Sequence, residues 1–289
     1  MSAVGYPVLV AERGGLIGCA GYALRRSQRS RAVGKKTCVS VLAVLTWLGV
    51  SSGAQLAVEV IEPRKIVDCP TAGLLPRASF DLDLRIFAEG GLLAGLEVGL
   101  MDRLLVGFSF GGQHIVGSGD INWHPRVEFA AKYRVFEEGR RIPALAIGFD
   151  SQGFGAYADS LGRYAIKSRG VYFASSKNYS LLGGLGVHGG VYYSFERDDG
   201  DEDPSAYVGI DKVLNAEVSV CAEYDFAVND NDNNSLGSGN GYLNAGIRWT
   251  FAHKLDIEFD VKNLTRRSNV FLSDRKPSRE VRVVYLEYF

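Results

Sequence analysis

Two short motifs in this sequence have the residue types and spacing of a catalytic or nucleotide-binding site. Residues 107–111 (GFSFG) match GxSxG, in which a serine nucleophile, here Ser109, stands on a strand-to-helix turn. Residues 184–189 (GLGVHG) match GxGxxG, in which glycines between a strand and a helix cradle a pyrophosphate. Both motifs lie within sequence that alternates apolar and polar residues, as a strand does. We therefore interpret Ser109 as a strand residue between glycines and expect no nucleotide site.

The histidines are the next candidates for acid–base chemistry. Of His114, His124, His188 and His253, only His188 falls in a predicted strand. A pair formed by His188 and Ser109 would make the chain a phospholipase-like hydrolase of the outer membrane. This enzyme is kept as an alternative, and we expect no enzyme activity.

Two loops are rich in side chains that carry oxygen, 198–203 (DDGDED) and 229–234 (NDNDNN). Calcium prefers carboxylate and amide oxygens, but neither loop has the glycine and glutamate spacing of an EF-hand. The simpler interpretation is a solvated acidic loop, and weak calcium binding stays open. The sequence predicts no cofactor and no metal-ligand set.

The charges of the chain nearly cancel, with 32 Lys and Arg against 33 Asp and Glu. This balance excludes the basic field of a nucleic-acid-binding protein, so we expect no nucleic-acid partner. Glycine is frequent, at 35 of 289 residues, well above the usual share of about 7%. Aromatic residues make up 11% of the chain and the mean hydropathy is 0.00. This combination indicates an all-β protein, either soluble or in a membrane.

The N-terminal region has the features of a secretory signal peptide. Residues 39–50 (VSVLAVLTWLGV) form an apolar run that is shorter than the roughly 20 residues a membrane helix needs. Two lysines precede this run, and small residues suited to cleavage follow it in Ser52-Gly53-Ala54. We predict a signal peptide over 35–54, after a leader (1–34) that is disordered or reflects a start codon assigned too early. Export leaves Cys69 and Cys221, and whether they pair is left open.

Alternation with a period of two dominates the chain from residue 79 onward. In 214–226 (LNAEVSVCAEYDF) the even positions are apolar and the odd positions are polar apart from Cys221. Successive strand side chains point to opposite faces, so one face of this segment is apolar and the other is charged. The same pattern recurs in about twelve segments: 79–87, 91–100, 103–111, 123–135, 142–150, 169–177, 184–196, 205–211, 214–226, 241–251, 254–264 and 280–289.

From the second segment onward, short turns alternate with longer polar loops. Outer-membrane barrels show this pattern, and their tilted strands need about 9–11 residues. The strands of a soluble β-sandwich are shorter, at about 5–6 residues. We predict a single antiparallel up-and-down transmembrane β-barrel of about twelve strands over 79–289, with short periplasmic turns and long extracellular loops. Residues 55–78 are then a periplasmic segment, and the barrel contacts lipid of the bacterial outer membrane.

The last strand ends on an aromatic residue. The sequence 279–289 (REVRVVYLEYF) places Tyr285 and the terminal Phe289 on alternating positions. It resembles the C-terminal signal that the barrel-assembly machinery recognises in bacterial outer-membrane proteins. Glu287 departs from that pattern, in which an apolar or aromatic residue is more usual.

Polar positions on the strands of such a barrel face the lumen. Several glycines share this face, where small side chains relieve crowding. About twelve strands lie between a barrel filled by side chains, at about eight, and open porins, at about 16–18, so size does not decide whether the lumen is open. Acids and bases together form either a structural network or the wall of a pore; the predicted lumen-lining set is Asp81, Asp83, Arg85, Glu97, Arg126, Lys132, Arg134, Glu217, Glu223, Asp225, Arg248, Asp256, Glu258 and Asp260.

Several stretches resemble YjbH-type outer-membrane β-barrel proteins, a group associated with exopolysaccharide production. The resemblance covers about residues 70–289 and rests on PTAGLLPRASFDLDLRIF (70–87), GGLLAGLEVGLMDRLLVGFSFGG (90–112), PALAIGFDSQGFGAY (143–157), AEYDF (222–226), GYLNAGIRWTF (241–251) and the final REVRVVYLEYF. It implies an outer-membrane barrel with polysaccharide as a partner, and it carries over no catalytic residue.

These observations favour a non-enzymatic pore or passage protein for polysaccharide or small solutes. The alternative is a sealed barrel with a structural or surface-interaction role in the cell envelope.

Overall fold

The computed structural model describes residues 62–181, 183–231, 235–238, 241–266, 268–269 and 277–289. The predicted leader and signal peptide lie outside these residues. Among the described residues, no helix has the length and the apolar character needed to cross a membrane. The helices that are described are 3₁₀ turns of three residues each, Ala88–Gly90, Asp159–Leu161 and Val228–Asp230.

Twelve antiparallel strands form the wall of the molecule. They are β1 (Ser79–Phe87), β2 (Gly91–Met101), β3 (Leu104–Gln113), β4 (Glu128–Phe136), β5 (Ala144–Asp150), β6 (Gly170–Tyr179), β7 (Leu185–Tyr193), β8 (Ser205–Val213), β9 (Val218–Asp225), β10 (Tyr242–Phe251), β11 (Leu255–Lys262) and β12 (Ser278–Tyr288). Each predicted segment overlaps one of these strands. The two-residue strand Asn122–Trp123 also pairs with the end of β3.

The sheet closes on itself. Each strand pairs with the next along the chain, and β1 pairs with β12 from Ser79 opposite Tyr288 to Ile86 opposite Val281. Every strand of the ring therefore has two partners, so no strand edge leaves its peptide groups unpaired. Hydrocarbon imposes this requirement, because it offers no water to an unpaired N–H or C=O group. The predicted fold, a closed antiparallel barrel of twelve strands, is confirmed.

The outer face of the barrel is apolar and exposed. In β1, Leu82, Leu84 and Ile86 are 38–49% exposed, whereas Asp81 and Arg85, on the other face, are 0% and 2% exposed. Such a band would be unfavourable in water, but in a bilayer it contacts lipid. This arrangement places the chain in the bacterial outer membrane, as predicted. Other exposed members of the band are Phe108, Phe110, Phe129, Tyr133, Ile147, Val171, Phe173, Val191, Val208, Ile210, Ile247, Trp249, Phe259, Val261 and Tyr285.

The two ends of the barrel differ. The start of β1, the end of β12 and the short connections 102–103, 137–143, 180–184, 214–217 and 252–254 share one end. The long connections 114–127, 151–169, 194–204, 226–241 and 263–277 lie at the other. Short turns face the periplasm in barrels of this kind, so we name these the periplasmic end and the extracellular end.

Candidate functional site

The lumen contains the chain's own N-terminal segment. Residues 62–76, here named the plug, precede β1 and contact inward-facing side chains on all sides of the ring. Ile66, Val67, Cys69 and Thr71 are at most 1% exposed. We expected residues 55–78 to lie in the periplasm. The structure places residues 63–75 of that segment inside the barrel, where their backbone has hydrogen-bond partners on the charged wall.

The plug is a hairpin. The amide of Ile66 donates to the carbonyl of Cys69 at 2.9 Å, and the amide of Thr71 donates to the carbonyl of Arg64 at 3.0 Å. Its tip, at Val67 and Asp68, reaches the extracellular half of the lumen, while both arms run back to the periplasmic end.

One carboxylate anchors the tip. Glu223 in β9 is 1% exposed and accepts hydrogen bonds from the amides of Val67, Asp68 and Cys69 at 2.9–3.1 Å. Successive amides that converge on one anion form a backbone nest. The Asn244 side chain donates to the same carboxylate at 2.8 Å. Glu223 therefore satisfies buried amides that the turn at the tip leaves without backbone partners.

Buried ion pairs surround the tip. Asp68 accepts from Arg85 at 3.0 Å and from Lys262 at 2.7 Å. Glu280 contacts the same two cations at 3.0 and 3.1 Å. Asp68, Arg85, Lys262 and Glu280 have side chains at most 7% exposed. A buried charge is stable only when it is paired, so this alternating cluster fixes the tip against β1, β11 and β12.

The periplasmic half of the plug is held through its backbone and by apolar packing. The Lys132 ammonium donates to the carbonyls of Arg64 and Gly73 at 3.0 and 3.1 Å. Arg134 donates to the carbonyl of Ala72 at 3.0 Å and pairs with Glu62. Next to these contacts, Leu74 and Leu75 of the plug pack against Leu105 and Leu286 of the wall. Two further apolar clusters join plug and wall: Ile66, Val67 and Cys69 with Tyr172, Ala174, Tyr192, Tyr207 and Cys221, and Ala72 with Ala144 and Ala146.

A serine, a histidine and an aspartate on adjacent strands form a further lumen cluster. Nδ1 of His188 lies 2.8 Å from the Ser176 hydroxyl, and Nε2 lies 2.6 Å from Asp211. This resembles a catalytic triad with the two imidazole nitrogens exchanged, since a hydrolase serine contacts Nε2. The Ser176 hydroxyl also accepts from the Ala72 amide at 2.8 Å, so the plug covers it. The cluster, which sequence reasoning missed, attaches the plug to the wall.

The enzymatic pair considered from the sequence does not meet. Ser109 donates to Gln152 at 2.8 Å, and His188 contacts Ser176 and Asp211 instead. Ser109 lies within β3, as its alternating surroundings predicted.

The long connection 151–169, here named the cap, covers the plug from the extracellular end. It contains a hairpin of Phe154–Ala158 and Arg163–Ile166. The Phe154 ring lies 4.6 Å from the Lys262 ammonium and 5.1 Å from the Arg85 guanidinium, which are cations of the tip cluster. Arg163, at 0% exposed, pairs with Asp199 at 2.5 Å and with Asp230 at 2.8 Å.

One carboxylate from each acidic loop pairs with the cap: Asp199 of 198–203 and Asp230 of 229–234. Lys167 pairs with Asp199 at 2.8 Å, and the amide of Asn231 donates to Asp201 at 2.9 Å. Residues 232–234 lie outside the described part of the chain. Arg163 and Lys167 of the cap thus pair with two of the loop carboxylates, Asp199 and Asp230.

Burial shifts two titratable groups beside the cap, both outside the membrane-spanning strands. Burial raises the pKa of Glu196 to about 7, although its carboxylate accepts from the amide of Ser168 at 2.8 Å. Burial lowers the pKa of His124 to about 4, and its ring packs edge-on against Tyr164.

Two spaces of different size lie beside the plug. A cavity of about 30 Å³ lies between wall and plug beside Lys65, Asp83 and Glu97, which is room for one or two waters. A space of about 390 Å³ opens at the periplasmic end beside Glu62 and Tyr288.

The predicted lumen-lining residues are placed as follows. Arg126 is exposed in the connection before β4, and Glu217 is exposed in the turn before β9. The other members are buried or half-buried on inward positions of the strands: Asp81, Asp83, Arg85, Glu97, Lys132, Arg134, Glu223, Asp225, Arg248, Asp256, Glu258 and Asp260.

The remaining sequence predictions concern the cysteines and the C-terminal strand. Cys69, in the plug, and Cys221, in the wall, are both buried and unpaired. In β12, Tyr285 is 40% exposed on the outer face, and Phe289 follows the strand at 79% exposed.

No family model and no curated protein matches this sequence. Among solved structures, the chain is similar to the KdgM porin, with 12% identity, a TM-score of 0.45 and coverage of 72% of this chain and 98% of that chain. It is similar to an outer-membrane channel from Pseudomonas putida F1, with 13% identity, a TM-score of 0.40 and coverage of 75% and 97%. It is also similar to outer membrane phospholipase A from Escherichia coli, with 11% identity, a TM-score of 0.35 and coverage of 75% and 99%.

These likenesses concern the barrel fold and assign no activity. The resemblance to YjbH-type proteins stays a prediction. The closed ring, the exposed apolar band and the charged interior together make the chain an outer-membrane β-barrel protein.

Proposed function

We propose that this protein is a non-enzymatic passage protein of the outer membrane that its own plug holds closed. One observation carries the proposal: charged side chains of the wall hold the plug through hydrogen bonds and ion pairs, such as those of Glu223, Lys132 and Arg248. Water can replace such contacts when the plug leaves. The wall behind the plug is therefore compatible with a hydrated lumen, whereas an apolar wall would not be.

The solute class we propose is uncharged and rich in hydroxyl groups, which suits polysaccharide or a small sugar. Acids and bases alternate along the inner wall, for example Asp83 next to Arg282 at 2.7 Å and Glu258 next to Arg248 at 3.0 Å. A wall of paired charges has no net preference for anions or cations, yet it offers donors and acceptors to hydroxyl groups. The proposed link to polysaccharide also follows from the resemblance stated above.

The second candidate is a permanently sealed barrel with a structural or surface-interaction role. The apolar packing of Leu74 and Leu75 against Leu105 and Leu286 favours it, because that contact resists withdrawal of the plug into water. If the barrel is permanently sealed, the plug fills the part of the lumen that the side chains of the wall are too small to fill.

Conductance in a planar bilayer separates the two candidates. One refolded chain starts at Leu74 and lacks most of the plug; its matched control starts at Glu62 and keeps the whole plug. We expect a quiet baseline from the control and steady unitary currents from the shortened chain, together with liposome swelling in small sugars. A shortened barrel that inserts and folds but carries no current refutes the passage proposal and leaves the sealed barrel.

A further inference from the structure

Three side chains that can bind a metal meet on the inner wall below the tip of the plug. Cys221 in β9 lies opposite Gly246 in β10, and Gly246 lies opposite Asp260 in β11. Glu258 is two positions before Asp260 on the same face of β11. The Cys221 sulfur and one carboxylate oxygen from each of Glu258 and Asp260 lie within 4.8 Å of one another, and all three residues are buried.

Gly246 makes this convergence possible. A Cβ atom at position 246 would overlap the Asp260 carboxylate and lie 3.1 Å from the Cys221 sulfur. The missing side chain leaves the gap in which the thiol and the carboxylate approach each other across an intervening strand.

Asp260 points to an absent partner. It is 2% exposed, and neither of its carboxylate oxygens has a hydrogen-bond partner within the described part of the chain. The two acids nearest to it are paired: Glu258 accepts from Arg248 at 3.0 Å, and Glu280 contacts Lys262 at 3.1 Å. A buried carboxylate without donors is unfavourable unless a cation or a proton compensates for it.

We propose that Cys221, Glu258 and Asp260 bind one divalent metal ion of the zinc class. A tetrahedral zinc ion, about 2.3 Å from sulfur and about 2.1 Å from oxygen, would separate those ligand atoms by about 3.6 Å. The Cys221 sulfur lies 3.7 Å from Oε1 of Glu258. A thiolate ligand selects zinc or cadmium over magnesium or calcium, which take oxygen ligands.

A backbone carbonyl of the plug supplies the fourth ligand of the metal ion. The carbonyl oxygen of Ile66 lies 3.6 Å from the Cys221 sulfur, in the range expected for two ligands of one zinc ion. The metal would thus join the tip of the plug to β9 and β11.

Charge and protons balance at this site. In the metal-free arrangement the Cys221 thiol donates toward Glu258. In the same arrangement a proton on the Asp260 carboxyl compensates for its missing donors. Metal binding displaces both the thiol proton and this carboxyl proton to solvent. The thiolate and two carboxylates bring three negative charges against two on the metal, and the adjacent Arg248 guanidinium, 3.0 Å from Glu258, offsets the remaining one.

Zinc binding to the refolded chain starting at Gln55 tests the proposal. Equilibrium dialysis against zinc chloride should give one tightly bound ion per folded chain. We expect Cys221→Ser and Asp260→Asn each to weaken binding more than tenfold. The matched control is Cys69→Ser, which removes the other buried thiol and should bind like the unchanged chain.

A second readout keeps the test independent of variant folding. In the Cys69→Ser chain, zinc should slow alkylation of Cys221, and cadmium should produce a thiolate charge-transfer absorption. The proposal is overturned if the folded chain binds no stoichiometric zinc, if Cys221→Ser and Asp260→Asn bind like the control, or if zinc leaves Cys221 alkylation unchanged.

Discussion

Replacing Glu223 by alanine should release the tip of the plug. The carboxylate accepts from the amides of Val67, Asp68 and Cys69, and alanine leaves these buried donors without an acceptor. Each such donor costs about 1–3 kcal/mol. Because water can enter the space left by the side chain, we use the low end, which gives about 3 kcal/mol for the three amides. Since ~1.4 kcal/mol corresponds to a tenfold change, the population with an undocked tip should rise on the order of 100-fold.

Alkylation of Cys69 measures this population, because the thiol lies in the tip and is 0% exposed. The assay uses the folded barrel with Cys221→Ser, so that the label reports on Cys69 alone. We expect Glu223→Ala to raise the alkylation rate about 100-fold when docking is fast compared with labelling. Glu217→Ala is the matched control, because it removes the same charge from the exposed turn before β9. A change below about threefold (~0.7 kcal/mol) in a folded barrel would show that Glu223 does not anchor the plug.

Four further predictions concern the residues around the cap, the last strand and catalysis. Glu196 lies in the connection 194–204 and accepts from the Ser168 amide of the cap. Its pKa is raised from 4.5 to about 7 in the folded state, so the folded state binds this proton more tightly and the stability of the docked cap falls by about 3 kcal/mol as pH rises from 4.5 to 7. Glu196→Gln should abolish this loss, measured as proteolytic nicking of residues 151–169 at pH 8 against pH 5.5. The pKa of His124 is lowered from 6.5 to about 4 in the folded state, so the folded state loses stability as pH falls through that range. This loss of stability at low pH should persist in Glu196→Gln and vanish in His124→Gln. Deletion of Phe289 should impair insertion of the barrel into the outer membrane in cells. Unchanged insertion would show that the C-terminal strand carries no assembly signal. Phospholipase assays should show no activity in the unchanged chain and no difference in Ser176→Ala; activity that this substitution abolishes would establish an enzyme.

The strands were predictable because apolar and polar residues alternate along a strand that has one face toward lipid and the other toward the lumen. The residues at which the strands begin and end were not predictable from this pattern. The alternating pattern of 214–226 extends through residues that form a turn in the structure. The Asn215 side chain accepts from the amides of Glu217 and Val218 at 2.8 Å, so β9 begins only at Val218. Hydrogen bonds from a side chain to nearby backbone amides compete with strand pairing, but they do not change the alternation of apolar and polar residues in the sequence.

The plug escaped prediction because it has no periodicity at all. Its partners are single charges on separate strands, and only the closed ring brings Glu223, Lys132 and Lys262 around one segment. One feature of the sequence could have indicated the plug. Charged side chains of both signs that line a lumen of intermediate width need polar or charged groups inside the lumen to pair with. Arg64, Lys65 and Asp68 stand just before the first strand and could supply them.

The hairpin form of the plug separates two steps in the assembly of this molecule, closure of the wall and insertion of the plug. Both arms leave through the same rim, because Glu62 lies beside Arg134 at the periplasmic end and Pro76 leads there into β1. Within residues 62–76, the described part of the N-terminal segment, the chain is therefore not threaded through the ring. The seam between β1 and β12 joins the most distant strands of the wall and can form only after the last strand is made. Closure of the seam and insertion of the hairpin are thus separable events, because entry of the hairpin breaks no backbone hydrogen bond between strands and forms only its own contacts with the wall side chains.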